Sequence, residues 1–254
     1  MAYNTIDDII KFVEEYGEKV GRQLQGEEIA DFVEQLQQEI SKMDFSVQKG
    51  TTVIAYTGTY NNVKLYTTAE AVSKAMGDGA KYISDLPAGK LLNDDGFKEA
   101  MQKLVGEKNL PKIISGYTDA TWSKRIPNGS CGFGENLLSL DDFVSKKLMG
   151  ETKGANSNII VLTPAGIDAT KVFATTELDQ FFANKTFSTI NGIPKGQLQA
   201  IYNCEPVVRQ AVYDILTATA KEAVGNASII EGQADVVVRA MAFNGILIVN
   251  LSTD

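Results

Sequence analysis

The stretch 115–136 gathers Tyr117, Asp119, the only tryptophan of the chain (Trp122), the Lys124-Arg125 pair, Cys131 and Glu135 around four glycines at 116, 129, 132 and 134. It shows neither helical nor strand periodicity, so it reads as a long loop, and loops of this length within compact domains are often functional. The side-chain types suit a flat, anionic ligand. Tyr117 or Trp122 would stack on a planar group, Arg125 would hold a phosphate or carboxylate through two N–H groups, and Lys124 would add positive charge. Asp119 or Glu135 would carry the proton. The plain alternative is a surface loop that Trp122 anchors to a core. A second polar turn, Thr57-Gly58-Thr59-Tyr60-Asn61-Asn62, offers backbone N–H groups and hydroxyls, that of Tyr60 among them, to an anion. It lacks the Gly-Lys-Ser/Thr ending of a P-loop.

The chemistry open to these residues is bounded by an absence, because the 254 residues include no histidine. A Ser-His-Asp or Cys-His nucleophile and a histidine-bearing zinc site are thereby excluded. Carboxylates, Tyr, Ser/Thr, Lys/Arg and the two cysteines remain. Cys131 and Cys204 stand far apart and outside any C-x-x-C pair, so both read as free thiols with no redox or iron–sulfur role. Other motifs are fragments. Gly132-Phe133-Gly134 lacks a preceding strand and a third glycine, and Ser46-Val47-Gln48-Lys49 lacks the companions of an S-x-x-K enzyme. Asp94-Asp95 and Asp141-Asp142 each open a helical pattern, where acidic residues favour the helix dipole over a cation.

With 44% hydrophobic and 22% charged residues, the composition is that of an ordinary soluble globular protein. A net charge of −8 disfavours a stable complex with nucleic acid. No apolar run approaches the ~20 residues that span a bilayer. The N-terminus, with Asn4, Asp7 and Asp8, does not resemble a signal region, so the expectation is synthesis in the cytoplasm without membrane contact.

Elements that would position these residues follow from periodicity. Thr5 and Asp8 form a capping pair before Ile6, Ile10, Val13, Val20 and Leu24; after Gly26, the pattern resumes with Ile29, Phe32, Val33, Leu36, Ile40 and Met43. Residues 1–46 therefore read as a helical arm or hairpin, and 47–254 as the main domain. Strands are expected at 52–56, 81–83, 112–114 and 158–162, and helices at 69–76, 96–105, 140–148, 176–182 and 206–223. Alternation of this kind predicts a layered α/β core with a mixed sheet, an α+β arrangement being the variant. The apolar runs at 229–230, 236–238 and 246–249, with Asn244-Gly245 between the last two, predict a C-terminal β-hairpin.

One histidine-free chemistry, ADP-ribosyl transfer or NAD cleavage, uses an Arg, a Ser-Thr strand and a late Glu. The chain offers Arg125, Phe187-Ser188-Thr189-Ile190 and Glu231-Gly232-Gln233 in that order. The last element departs from the usual pattern, in which Glu or Gln precedes the catalytic Glu by two. The run 158–164, then 171–178 (Lys-Val-Phe-Ala-Thr-Thr-Glu-Leu) and 190–194 (Ile-Asn-Gly-Ile-Pro), resembles segments of C-terminal modules of bacterial polymorphic toxins and contact-dependent effectors. The resemblance covers about 40 residues and places no active-site residue. It implies non-Sec delivery into another cell and partners such as a cognate immunity protein or a chaperone. The expectation is thus a toxin-type enzyme acting on a nucleotide-like or other anionic substrate, with Asp119, Glu135 or Glu231 as the carboxylate and no cofactor named. The alternative is a self-assembling structural subunit of a phage particle or injection device, associating through the N-terminal helices or a terminal edge strand.

Overall fold

The computed structural model describes residues 2–56, 59–60, 63–64, 69–70, 72–74, 77–121, 123–155, 157–164, 189–190, 193–194 and 245–251. The chain is of mixed α/β class and divides into two compact units, one of Met1–Ser46 with Ser84–Gly150 and one of Val47–Ile83 with Glu151–Asp254. The boundary after Ser46 falls where the texture of the sequence changes. Residues 84–150, however, join the N-terminal helices and not the sheet.

The first unit is helical. Helix α1 (Ile6–Val20) starts at a capping box, in which the Thr5 hydroxyl accepts from the Asp8 N–H and the Asp8 carboxylate accepts from the Thr5 N–H at 2.8 Å. It ends at Gly21, whose φ of 71° is the left-handed cap that glycine adopts without a Cβ clash. Helix α2 (Glu27–Ile40) follows. Helices α3 (Pro87–Asn93) and α4 (Asp95–Val105) share the junction residue Asp94, whose carboxylate caps α4 through the Phe97 N–H at 2.9 Å. The N-terminal pair is not a projecting arm. Its apolar stripe, with Ile9, Val13, Phe32, Val33 and Leu36 buried, closes on Leu91, Phe97, Met101 and Leu104 in one core. A single helix pair has too little apolar area to bury both stripes, so residues 84–150 supply the remaining walls.

The strand expected over 112–114 is instead helix α5 (Leu110–Ser115). Three β-branched or long residues are too few to outweigh Pro111 in the first turn and Gly116 as a left-handed cap (φ 69°), which together bracket one short helix. Helix α6 (Leu140–Gly154) begins where expected and runs farther.

The second unit holds a six-stranded sheet in the order β4-β1-β5-β8-β6-β7, formed by β1 (Thr52–Tyr56), β4 (Ala80–Tyr82), β5 (Asn158–Pro164), β6 (Thr189–Ile190), β7 (Ile193–Pro194) and β8 (Gly245–Leu251). All neighbours are parallel except β6 and β7. A separate two-strand ribbon joins β2 (Thr59–Tyr60) to β3 (Val63–Lys64). The inner strands read as apolar runs because a parallel sheet is covered on both faces: Val53, Ile54 and 159–162 are buried. No C-terminal hairpin is seen among the described residues. Ile246 pairs in parallel with Ile159 on one side and Ile190 on the other, leaving no room for the antiparallel partner that a turn at Asn244-Gly245 would deliver. β8 is accordingly paired on both sides at Ile246, and on its β5 side through Leu251. The helices expected at 176–182 and 206–223 and the strands at 229–230 and 236–238 lie outside the described residues.

Candidate functional site

The loop between α5 and α6 belongs to the first unit and is tied to itself. Tyr117 and Arg125 form an antiparallel bridge, the Thr118 N–H donates to the Lys124 carbonyl at 2.9 Å, and the Ile126 N–H donates to the Gly116 carbonyl at 2.6 Å. Farther on, Ser130 bridges Leu138 and the Ser139 N–H donates to the Gly129 carbonyl at 2.8 Å. The loop thus places Tyr117, Lys124 and Arg125 at the base of one small hairpin and Asp119 in its connection, with Trp122 outside the described residues.

Asp119 spends its carboxylate locally. It accepts from the Thr121 hydroxyl at 2.6 Å, the Thr121 N–H at 2.9 Å and the Ser123 hydroxyl at 2.6 Å. These bonds, the Ser123 hydroxyl first, hold its carboxyl down at about 2. A group that stays ionised so far below neutrality is a poor proton donor and a weak base, and the bonds that hold it there shape the turn. Arg125 is also engaged: its Nη2 lies 2.7 Å from Asp142 Oδ2, which accepts in addition from the Ser139 hydroxyl at 3.0 Å. The pair pins the loop to the first turn of α6. Gly129 packs so closely there that a Cβ would lie 2.8 Å from the Asp142 carboxyl.

Asp141, the preceding residue, keeps solvent contact. Desolvation nevertheless pushes its carboxyl up to about 6, opposed by a Ser115 hydrogen bond and reinforced by the Asp142 charge. Lys124 and Glu135 are exposed, and the Cys131 thiol is free and buried, with burial raising it. Both features disfavour the thiolate form. Glu231 and Cys204 lie outside the described residues.

The second unit offers a different kind of site. From β1 the chain passes through β2 and β3 and returns as β4 on one side of β1, whereas β5 and then β8 lie on the other. The order reverses between β1 and β5. In open parallel sheets, ligands settle beyond the carboxyl ends of the strands at such a reversal. Tyr60 stands on β2, immediately past the carboxyl end of β1, and is the one sequence-predicted binding residue among the described residues that falls at this edge.

Sequence reasoning passed over Tyr56 and Tyr82, which close β1 and β4 at the same edge and are half-buried. The available signal was an aromatic residue ending an apolar strand run. Close by, Lys74 Nζ forms an ion pair with Glu70 at 2.6 Å that raises the ammonium, and the Tyr82 phenol adds to the rise. Among the described residues no three Cys, Asp or Glu side chains gather as a metal site, and no helix is long and apolar enough to cross a membrane. Comparison with protein-family models, curated proteins and solved structures finds no match.

Proposed function

We propose that this protein is a bacterial effector or toxin-type enzyme that acts, without histidine, on a nucleotide-like substrate at the carboxyl edge of its parallel sheet. The observation that carries the reading is the reversal of strand order between β1 and β5, with Tyr60, on β2, following β1 in the chain. Asp119 and Arg125 are committed to turn and clamp, which moves the weight of catalysis to Glu231, a residue within the sequence range of the sheet unit. Arg125 and Lys124 then belong to the surface of the helical unit. The assembly alternative drew on the helical arm, the absent histidines, a terminal hairpin with an edge strand and the lack of a catalytic motif; of these, the apolar stripe of the N-terminal helices is buried in the core of the helical unit.

The test is turnover of a panel of nucleoside mono-, di- and triphosphates and NAD by the purified chain beside Glu231→Gln and Tyr60→Ala. Product formation that Glu231→Gln abolishes and Tyr60→Ala weakens supports the reading. A chain that neither binds nor converts any member of the panel contradicts it.

A further inference from the structure

We infer that Asn128 is a site of spontaneous covalent modification: it deamidates through a succinimide closed with Gly129, at a rate held down by the Asp142 carboxyl packed on that glycine. An Asn-Gly step closes this ring most readily because glycine presents no side chain to the approach. The backbone nitrogen of Gly129 gives its proton to solvent and bonds to Asn128 Cγ, while the Cγ–Nδ2 bond breaks and the side-chain nitrogen leaves as ammonia. Water then opens the ring, at Cγ to give aspartate or at the main-chain carbonyl to give isoaspartate. No oxidant, reductant or further reactant is needed, and Asn128 is exposed to the water that the reaction uses.

One dihedral of the turn already suits the reaction and another opposes it. Asn128 has φ 59° and ψ 22°, Gly129 has φ 71°, and the Ser130 N–H donates to the Pro127 carbonyl at 3.2 Å, which together make a type I′ turn. A type II′ turn keeps this φ and sets ψ at about −120°, where the following nitrogen eclipses Cβ and faces Cγ. Ring closure therefore requires a flip of the 128–129 peptide plane. Two contacts resist the flip. The 3₁₀ turn Pro127–Gly129 directs the Gly129 N–H back to the Ile126 carbonyl, and Gly129 lies so close to Asp142 that a Cβ would come within 2.8 Å of its carboxyl. That carboxyl is itself held by Arg125 at 2.7 Å and by the Ser139 hydroxyl at 3.0 Å, while the Ser139 N–H fixes the Gly129 carbonyl at 2.8 Å.

The product undoes the arrangement that delays it. Isoaspartate routes the main chain through Cβ and adds one backbone atom between residues 128 and 129, whereas the Ser130–Pro127 and Ser139–Gly129 bonds are matched to the shorter chain. A negative charge also replaces a neutral carboxamide one residue from the glycine that packs on Asp142. Both effects release the loop from the first turn of α6.

The experiment incubates the full chain, folded and in urea, in mildly alkaline buffer and follows the peptide holding Asn128 by mass spectrometry, with enzymatic methylation to separate isoaspartate from aspartate. Asn191-Gly192 and Asn244-Gly245 serve as reference steps in the same digest. In urea the three steps react alike. In the folded chain Asn128 reacts about tenfold more slowly than in urea, as expected from one hydrogen bond and one packed contact. Asp142→Ala brings the folded rate to within about threefold of the urea rate, and Arg125→Ala, which loosens the carboxyl without removing it, falls between. Lys124→Ala, exposed in the same loop, leaves the rate unchanged. Should Asp142→Ala fail to fold, Arg125→Ala and the ratio of folded to urea rates still decide. Equal rates folded and in urea overturn the restraint, and folded Asp142→Ala and Arg125→Ala chains as slow as wild type overturn the part given to Asp142. Absence of product at Asn128 in urea, while the reference steps react, overturns the site.

Discussion

Replacing Phe32 with Ala tests whether the N-terminal helices are part of a core or an appendage. Phe32 is fully buried on α2, stacked at 6.2 Å and 8° on Phe12 and tilted against Tyr16 at 4.9 Å, both on α1. Removing a buried ring costs ~3–5 kcal/mol through lost transfer energy and the cavity left behind. Losing two ring pairs moves the figure toward the upper end, and the better helix propensity of Ala returns only about 0.5 kcal/mol. Against a total of ~5–15 kcal/mol, that is a large fraction of the stability of the unit. At ~4–8 °C per kcal/mol the melting temperature of the unit falls by at least about 12 °C.

Hydrogen exchange read by mass spectrometry locates the loss. Because α1 packs on α4, protection falls over Asp95–Val105 as well as over α1 and α2. Exchange that rises only within residues 1–46, with the melting temperature of the rest unchanged, would refute the shared core and restore an arm.

A double-mutant cycle on Arg125→Ala and Asp142→Asn yields a coupling under about 1 kcal/mol that shrinks with salt, since the two side chains are 46% and 23% exposed. A coupling that salt leaves unchanged would contradict the exposed geometry. Gly129→Ala destabilises by ~1–2 kcal/mol or more in urea titration, because its φ of 71° disfavours a Cβ and that Cβ would strike the Asp142 carboxyl. The carboxyls of Asp119 and Glu28 are held at about 2, below an unfolded value near ~4, so their contribution is present above pH ~4 and is lost as pH falls toward 2. Asp119→Asn flattens that acid limb, as melting curves between pH 2 and 5 would record. Asp141 has the opposite sign: with its folded carboxyl raised to about 6, its contribution is present below pH ~4 and lost as pH rises through 6, so Asp141→Asn raises the melting temperature at pH 7 relative to wild type.

Local signals in the sequence translated well into structure. The Thr5/Asp8 spacing produced a capping box, and the apolar runs at 52–56 and 158–162 became inner strands of a parallel sheet. Signals that compete with distant pairing did not. Asn244-Gly245 favours a hairpin, but β8 is claimed on both sides by β5 and β6, strands whose positions depend on residues far away in the chain. Likewise Lys112-Ile113-Ile114 carries strand propensity, and its flanking Pro111 and Gly116 decide for a helix.

The candidate site was legible only in part. Types alone made Arg125 an anion binder and Asp119 an acid or base, whereas the Arg125–Asp142 bond spans 17 positions and the Asp119 bonds depend on how the turn closes. Tyr56 and Tyr82 were hidden for a related reason. Each looks like an ordinary strand residue until the parallel register of β1 and β4 sets them side by side.

The most direct test of the account is inducible expression of the chain in a bacterial cytoplasm beside Glu231→Gln and Tyr60→Ala, following growth and the nucleotide and NAD pools together. The account predicts growth arrest with depletion of one pool by the wild-type chain, relieved by either substitution at equal soluble protein levels. Normal growth and unchanged pools from abundant soluble wild-type protein would contradict it.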